Sequence, residues 1–329
     1  MGSTQLSFRT DALRRGVDDH GLHRMRQAGD LVTVRPGVYA APSACRTRRS
    51  RHRAAIVAAL AKLHSPAVIS HISAAALHGL PLLDADLSRV HMTRTGSGGG
   101  TTSPRRRLHV TPLTPEDITE VDGIPVTTIA RTITDLALES GFDKAVAIGD
   151  NALNNALVAT ADLHAAMGRT GRRIGAHKAR SAIRFMDCRS ESPGESLSRV
   201  ALDRLGIRGP ELQRVIRSHG QHLARVDFYL DDEGIVGEFD GVSKYSGSEE
   251  TPAPESPAAV LVQEKKREDR LRRCGLVVAR WGWKDLHTPG ELERIITAAR
   301  ELAADCPAPR IDAPDPRDVY VPRRRPPSE

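Results

Sequence analysis

The chain has 329 residues, 3% aromatic content and a formal net charge of +7, a length that accommodates two or three domains. No apolar run approaches the ~18 residues needed to span a bilayer, and the N-terminus lacks a signal-peptide core, so a soluble cytoplasmic protein is expected. Cys45, Cys188, Cys274 and Cys306 stand far apart with no CxxC pair, which argues against a zinc ribbon or disulfide frame and fits a reducing compartment.

The charge is concentrated at one end. Residues 1–53 hold 11 Arg against 4 Asp, the whole excess of +7, while the remaining 37 basic and 37 acidic residues cancel. A basic module on a balanced chain points to a polyanion partner, most often nucleic acid; the alternative is a solvated Arg-rich face. Within it, "FRTDALRRGVDDHGLHRMRQAGDLVTVRPGVYAAP" (8–42) predicts a short helix stopped by Gly16. A second helix follows, capped by Asp18 or Asp19, running through Met25 and ended by Gly29. "LVTVRPGVYA" then alternates around a Pro-Gly turn, as a hairpin should. Two short helices and a hairpin outline a winged helix. Down to "RPGVY", the stretch resembles the N-terminal winged helix of AbiEi-type abortive-infection antitoxins. That resemblance implies a recognition helix carrying Arg24 and Arg26 and a wing carrying Arg35, a set suited to DNA phosphates and guanine edges. The same module can instead bind protein or support the next domain.

Residues 54–168 predict an α/β domain that begins with an Ala-rich helix. "AVISHISAAALHGLPLL" (67–83) is similar to the "SHxSAAxLHGL" stretch in the middle part of the same antitoxin family. His71 and His78, seven apart, share a helical face, but no acidic or Cys partner is spaced to join them, so core or capping histidines are expected rather than a metal pair. "RTGSGGGTTSPRRRL" (94–108) predicts a flexible basic loop between strands; without a following GK[ST] it is not a P-loop. "VDGIPVTTIARTITDLALESG" predicts a strand, then a helix capped by Thr127 or Thr128, with helical pattern to about Met167. No catalytic constellation is expected between 54 and 186. Residues 169–189 form an Arg-rich connector, partly helical. The loop 246–259 and the tail 305–329 are too Pro-rich and polar to pack, and the tail is expected to be disordered.

The chemistry lies in 190–304. In "ARVDFYLDDEGIVGEFDGVSKY" (224–245), strands 225–230 and 235–240 flank a four-residue hairpin loop. Pairing Leu230 with Ile235 sets Asp227 opposite Glu238 and Arg225 opposite Asp240, and collects Val226, Phe228, Leu230, Ile235, Gly237 and Phe239 on one apolar face. Opposed carboxylates repel, and three together call for a cation or a raised pKa. Oxygen-only ligands at Asp227, Glu238 and Asp240 suit Mg²⁺ or Mn²⁺; the alternative is a solvated acidic face balanced by Arg225 and Lys244.

A helix with Glu, a strand with Asp, a strand with Glu-x-acid and then a basic helix resemble the PD-(D/E)XK nuclease superfamily. More narrowly, "VDFYL…GEFDG…KY…EKKREDRLRRCGLVVARWGWKDL" is similar to very-short-patch-repair-like endonuclease domains. The resemblance implies an α+β, multi-domain chain: winged helix (1–53), antitoxin-like α/β domain (54–168), connector (169–189) and restriction-endonuclease-like domain (190–304). It assigns Asp227 and Glu238 to the motif acids and Glu195 to the helical glutamate, although "SPGE" also reads as a capping box at Ser192. Where the superfamily has its lysine this chain has Asp240, so Lys244, Lys265 or Lys266 would supply the cation, while Lys266 and Arg270 share a helical face toward DNA. Metal-dependent DNA hydrolysis is the expectation, with a non-cleaving regulator, or an antitoxin that holds a toxin partner, as the alternatives.

Overall fold

The computed structural model describes residues 6–61, 63, 66–96, 98–171, 173–241 and 257–322, the side chains of 232 and 257–264 excepted. The chain divides into two compact units, one built from Met1–Ala152 and Ala156–Phe185, the other from Leu153–Asn155 and Met186–Arg324. No helix among the described residues is long and apolar enough to cross a membrane.

The first unit opens with β1 (Leu6–Phe8), α1 (Arg9–Arg14), α2 (Asp19–Gln27), β2 (Val32–Arg35) and β3 (Val38–Ala40), followed by α3 (Arg48–Leu60). The strands form a three-stranded sheet in the order β1-β3-β2. The expected helices and hairpin are present, and Gly37, with φ +73°, makes the turn that a side chain would strain. The boundary expected between residues 53 and 54 falls inside α3. Its Ala54 packs with Ala40 and Cys45 of the N-terminal module, and its Ile56 and Ala59 belong to the next core, so one helix serves both layers.

That next core is built by β4 (Val68–Ile69), α4 (His71–Leu77), β5 (Val90–Arg94), β6 (Thr101–Ser103), β7 (Arg106–Val110), β8 (Ile118–Val121), β9 (Ile124–Thr127) and α5 (Ile129–Glu139). The strands make a six-stranded sheet in the order β6-β7-β5-β4-β9-β8. The segment expected to be a flexible loop at 94–108 contains β6, which pairs antiparallel with β7; Pro104 and Arg105 make the turn, and the basic Arg106 and Arg107 lie in β7. The helices α6 (Phe142–Asn154), α7 (Thr160–Arg169) and α8 (Ala176–Phe185) follow. In α8, Ala176, Ala179, Ala182 and Ile183 are buried, so this part of the expected connector is a packed helix with an apolar stripe at helical spacing.

The second unit runs α9 (Pro193–Arg204), β10 (Glu211–Ser218), β11 (Gln221–Leu230), β12 (Ile235–Asp240), α10 (Pro257–Arg273), β13 (Val277–Gly282), α11 (Trp283–His287) and α12 (Glu291–Ala304). Its sheet has the order β10-β11-β12-β13, antiparallel except for the parallel β12–β13 pair. The hairpin register is the expected one, Leu230 opposite Ile235 and Phe228 opposite Gly237. The apolar partition differs. Phe228, Leu230 and Ile235 pack with Trp281 and α12 residues, whereas Val226 joins Tyr229, Val236 and Leu271 in another cluster. On the neighbouring strand Leu212 pairs with Phe228 and Arg214 with Val226, and between them Gln213, beside Asp227, takes a left-handed backbone, φ 53°.

Of the loop expected at 246–259, residues 246–256 lie outside the described residues and α10 begins at Pro257. The expected disordered tail is a correction. Residues 307–310 lie against the turns at Gly234 and Gly275, with Arg310 N donating to Cys274 O at 2.8 Å. The chain then reaches the edge of β10, where Asp312 N donates to Arg217 O at 2.8 Å and the Asp312 carboxylate accepts from His219 N and Gly220 N at 3.0 and 2.7 Å. Arg217 grips Asp318 through two bonds of 2.7 and 2.9 Å. Low apolar content misleads here because an unpaired strand edge supplies the tail with polar partners. Truncation after Ala304 is therefore expected to destabilise this unit by about 2 kcal/mol, read as a lower melting temperature, and to promote self-association on a sizing column. A truncated chain that melts and elutes like the full one would show the tail to be passive.

Candidate functional site

Three carboxylates meet in the second unit. Glu195 is on the first turn of α9, which Ser192 caps by accepting from Glu195 N at 3.2 Å. The glutamate side chain does not return the bond to Ser192: its Oε2 accepts from Glu191 N at 2.8 Å and from Gln213 Nε2 at 2.9 Å. The same Gln213 Nε2 lies 3.3 Å from Asp227 Oδ1, so one amide bridges two acids. Asp227 Oδ2 accepts from Phe239 N at 3.0 Å, which ties β11 to the end of β12 beside Glu238. Gly194 is required at this corner, since a Cβ there would come within 1.9 Å of the Phe239 ring.

All three acids are held above the usual carboxylate range. Burial, reinforced by the Asp227 charge, pushes Glu195 up to about 7. Burial raises Asp227 against its hydrogen bonds from Phe239 N and Gln213. Burial also raises Glu238, opposed by Arg267 and assisted by Asp227. Glu238 pairs through Oε2 with Arg267 and lies 3.8 Å from Arg280 Nη2, while its Oε1 is buried with no hydrogen-bond partner. Such an arrangement attracts positive charge and can accept a proton near neutral pH.

The other expected site residues are placed differently. Asp240, at the end of β12, is exposed. Arg225, expected opposite Asp240, instead binds both oxygens of Glu191 at 2.9 and 3.1 Å. Lys244 lies outside the described residues. Lys265, Lys266 and Arg270 are exposed on α10; the side chain this helix delivers to the acids is Arg267, because neighbours on a helix are turned by about 100° from one another. Trp281 is buried in the core of this unit, its Nε1 donating to Ser198 Oγ at 2.7 Å.

In the first unit, Asp18 caps α2 by accepting from Gly21 N at 2.7 Å, and Leu22 is buried while Arg24 and Arg26 are exposed. Two residues apart, these arginines face different sides of the helix. Arg35, half-buried in the hairpin, donates to Arg105 O at 3.1 Å; burial and the charges of Arg105 and Arg106 lower its pKa. Part of the local basic charge is structural. Arg48 donates to Ala85 O, Arg49 to carbonyls at the end of α4, and Arg53 pairs with Asp122.

One cluster escaped the sequence reading. His78 bonds Thr127 O at 2.7 Å, but His71 meets His91 of β5 and His109 of β7, with ring centroids 5.8 and 3.7 Å away. The Glu139 carboxylate, at the end of α5, lies 3.5 Å from His71 Nε2 and 3.2 Å from His109 Nδ1. The alternation of His91 and His109 with strand neighbours was visible, but only the parallel β5–β7 pairing, with Thr93 opposite His109, makes them neighbours.

Residues 9–42 match the model of the family described as transcriptional regulator, AbiEi antitoxin. The chain is also 30% identical over 158 residues to Uncharacterized protein MT2308 and Uncharacterized protein Rv2248 of Mycobacterium tuberculosis, strains CDC 1551 / Oshkosh and H37Rv. The match covers 48% of this chain and 55% of each relative, so the chain spans about half the length of the curated relatives it matches.

Proposed function

We propose that this chain is a DNA-binding regulator of the AbiEi antitoxin kind whose second unit carries a PD-(D/E)XK-type nuclease site that hydrolyses DNA phosphodiesters with Mg²⁺ or Mn²⁺. The observation that carries the nuclease half is the approach of Glu195, Asp227 and Glu238 from one helix and two adjacent strands, linked through Gln213 and Phe239 N. The donor chemistry suits a hard divalent ion, since the donors are all oxygen, the Asp227 charge raises the other two acids, and Glu238 Oε1 is an unsatisfied buried acceptor. The three acids are not all within 4.8 Å of one another, so an ion would have to draw them together. When bound by these acids, such an ion would activate water and offset charge on the scissile phosphate. Arg267 pairs with Glu238 and is a cation able to meet a phosphate oxygen. Glu195, titrating near 7, can hold or release a proton at its carboxyl beside that phosphate.

A second reading, a non-cleaving clamp, is favoured by Asp240 at the lysine position and by the engagement of Glu238 with Arg267. Plasmid nicking with Mn²⁺ against EDTA separates the two: nicking only with Mn²⁺ supports hydrolysis, and DNA retention without nicking supports the clamp. DNA, and a cognate toxin protein, are the proposed partners, with the cytoplasm as the site of action.

Exposed Arg24 and Arg26 are expected to contact phosphate. Arg24→Ala should weaken DNA binding and reduce the slope of log affinity against log salt by about 0.9, the contribution of one phosphate contact, with Arg26→Ala additive to it. Titrations by fluorescence anisotropy across salt concentrations measure this; an unchanged slope in the double variant would place DNA elsewhere.

A further inference from the structure

His71, His91 and His109 converge in the first unit from the start of α4, from β5 and from β7, each with a ring nitrogen within 4.8 Å of the others. We propose that these three histidines form a mononuclear site for a divalent transition ion of the zinc type, with the Glu139 carboxylate as an outer contact to the His109 ring. Three imidazole nitrogens with a position left for water are a donor set zinc favours over magnesium or calcium. His109 Nε2 and His91 Nδ1 stand 3.1 Å apart, close to the ~3.3 Å edge of a tetrahedron whose metal–nitrogen bonds are ~2.0–2.1 Å.

Three further observations favour a ligand site over core packing. His71 is buried yet takes φ 54°, a conformation that costs a non-glycine residue about 1 kcal/mol or more and that clusters at functional positions. Its Nδ1 is bonded to Ser70 Oγ at 2.9 Å, and Ser70 Oγ in turn accepts from Thr93 Oγ1 at 2.7 Å. Such outer contacts set a ligating ring and its tautomer. Finally, Glu139 stands 3.2 Å from His109 Nδ1 and is itself paired with Arg107 at 3.2 Å, an outer carboxylate of the kind that orients a ligating ring. The His71 and His109 rings are stacked, 12° from parallel; directing both lone pairs at one ion splays them, so capture draws α4 and β7 into a defined spacing.

The test uses the full chain, stripped with chelator and dialysed against micromolar Zn²⁺, with bound metal counted by elemental analysis. One zinc per chain is expected, falling to near zero in His91→Gln and His109→Gln, unchanged in Asp227→Asn, and bound about 10–100-fold more weakly in Glu139→Gln. The Asp227→Asn arm separates this site from the acidic one in the second unit. Imidazole ¹⁵N spectra of the wild-type chain provide a readout that does not depend on the variants folding: Zn²⁺ should shift the ring nitrogens of His71, His91 and His109. A wild-type chain without zinc, zinc retained by both folded histidine variants, or unmoved ring nitrogens would each overturn the site.

Discussion

Arg131→Leu is expected to lower the stability of the first unit by about 3–5 kcal/mol, the largest single-residue loss in the molecule. Arg131 is 1% exposed, and it donates to Asp117 at 2.8 Å, to Asp135 at 3.0 Å and to Pro112 O at 3.1 Å. Both aspartates are as deeply buried as the arginine. Arg169 donates twice to Asp117 at 2.8 and 2.9 Å, and Arg173 stands 3.6 Å from Asp135. Removing Arg131 leaves two buried carboxylates sharing the two outer, partly exposed arginines, so the penalty is that of uncovered charge rather than of a lost contact. Asp135→Leu in the same chain should recover part of the loss, because a pair removed together leaves less charge stranded. Urea unfolding of the single and double variants measures both effects. A single-variant loss below about 1 kcal/mol would mean that Arg169 and Arg173 take over the network.

Asp227→Asn should abolish Mn²⁺-dependent cleavage while making the metal-free fold more stable, by about 0.5–1 kcal/mol, since it removes a like charge from a crowded set. The pH dependence has a definite sign. A carboxyl whose folded pKa lies above its unfolded value binds its proton more tightly in the native state, so stability falls as pH rises between the two values. For Glu195 that window runs from the ordinary carboxylate range, about 4.5, to about 7, and the raised Asp227 and Glu238 act in the same direction. Thermal scans from pH 4.5 to 7.5 should show wild-type stability declining through this window and Asp227→Asn declining less, because the Asp227 charge is one cause of the Glu195 shift. Millimolar Mn²⁺ should raise the melting temperature of the wild type and leave Asp227→Asn little changed, as binding to the folded state alone requires. A wild type indifferent to Mn²⁺ whose pH profile matches the variant's would remove the acids from any catalytic role.

What the amino-acid sequence determined by itself was local. The α2 cap at Asp18, the turn at Gly37, the Ser192 cap with Pro193 behind it, and the Leu230–Ile235 register each depend on residues within a few positions of one another, where steric and hydrogen-bonding preferences act directly. The nearness of Asp227 to Glu238 was legible for the same reason, since a short hairpin brings their strands together, although the ladder itself ends at Phe228 and Gly237. Tertiary structure decided the rest. Whether Glu195 served its own cap or the acids depended on Gln213, on a strand that the register argument did not include. Whether Lys266 or Arg267 reached the site depended on the rotation of α10, and helical pattern alone leaves that phase free where residues 264–273 are nearly all charged. The tail found order because β10 presents an open edge. His71, His91, His109 and Glu139 span 69 positions of sequence and became neighbours through a parallel strand pair and the end of a helix, contacts whose loop-closure entropy is repaid by burial of the whole core rather than by any signal near the histidines themselves.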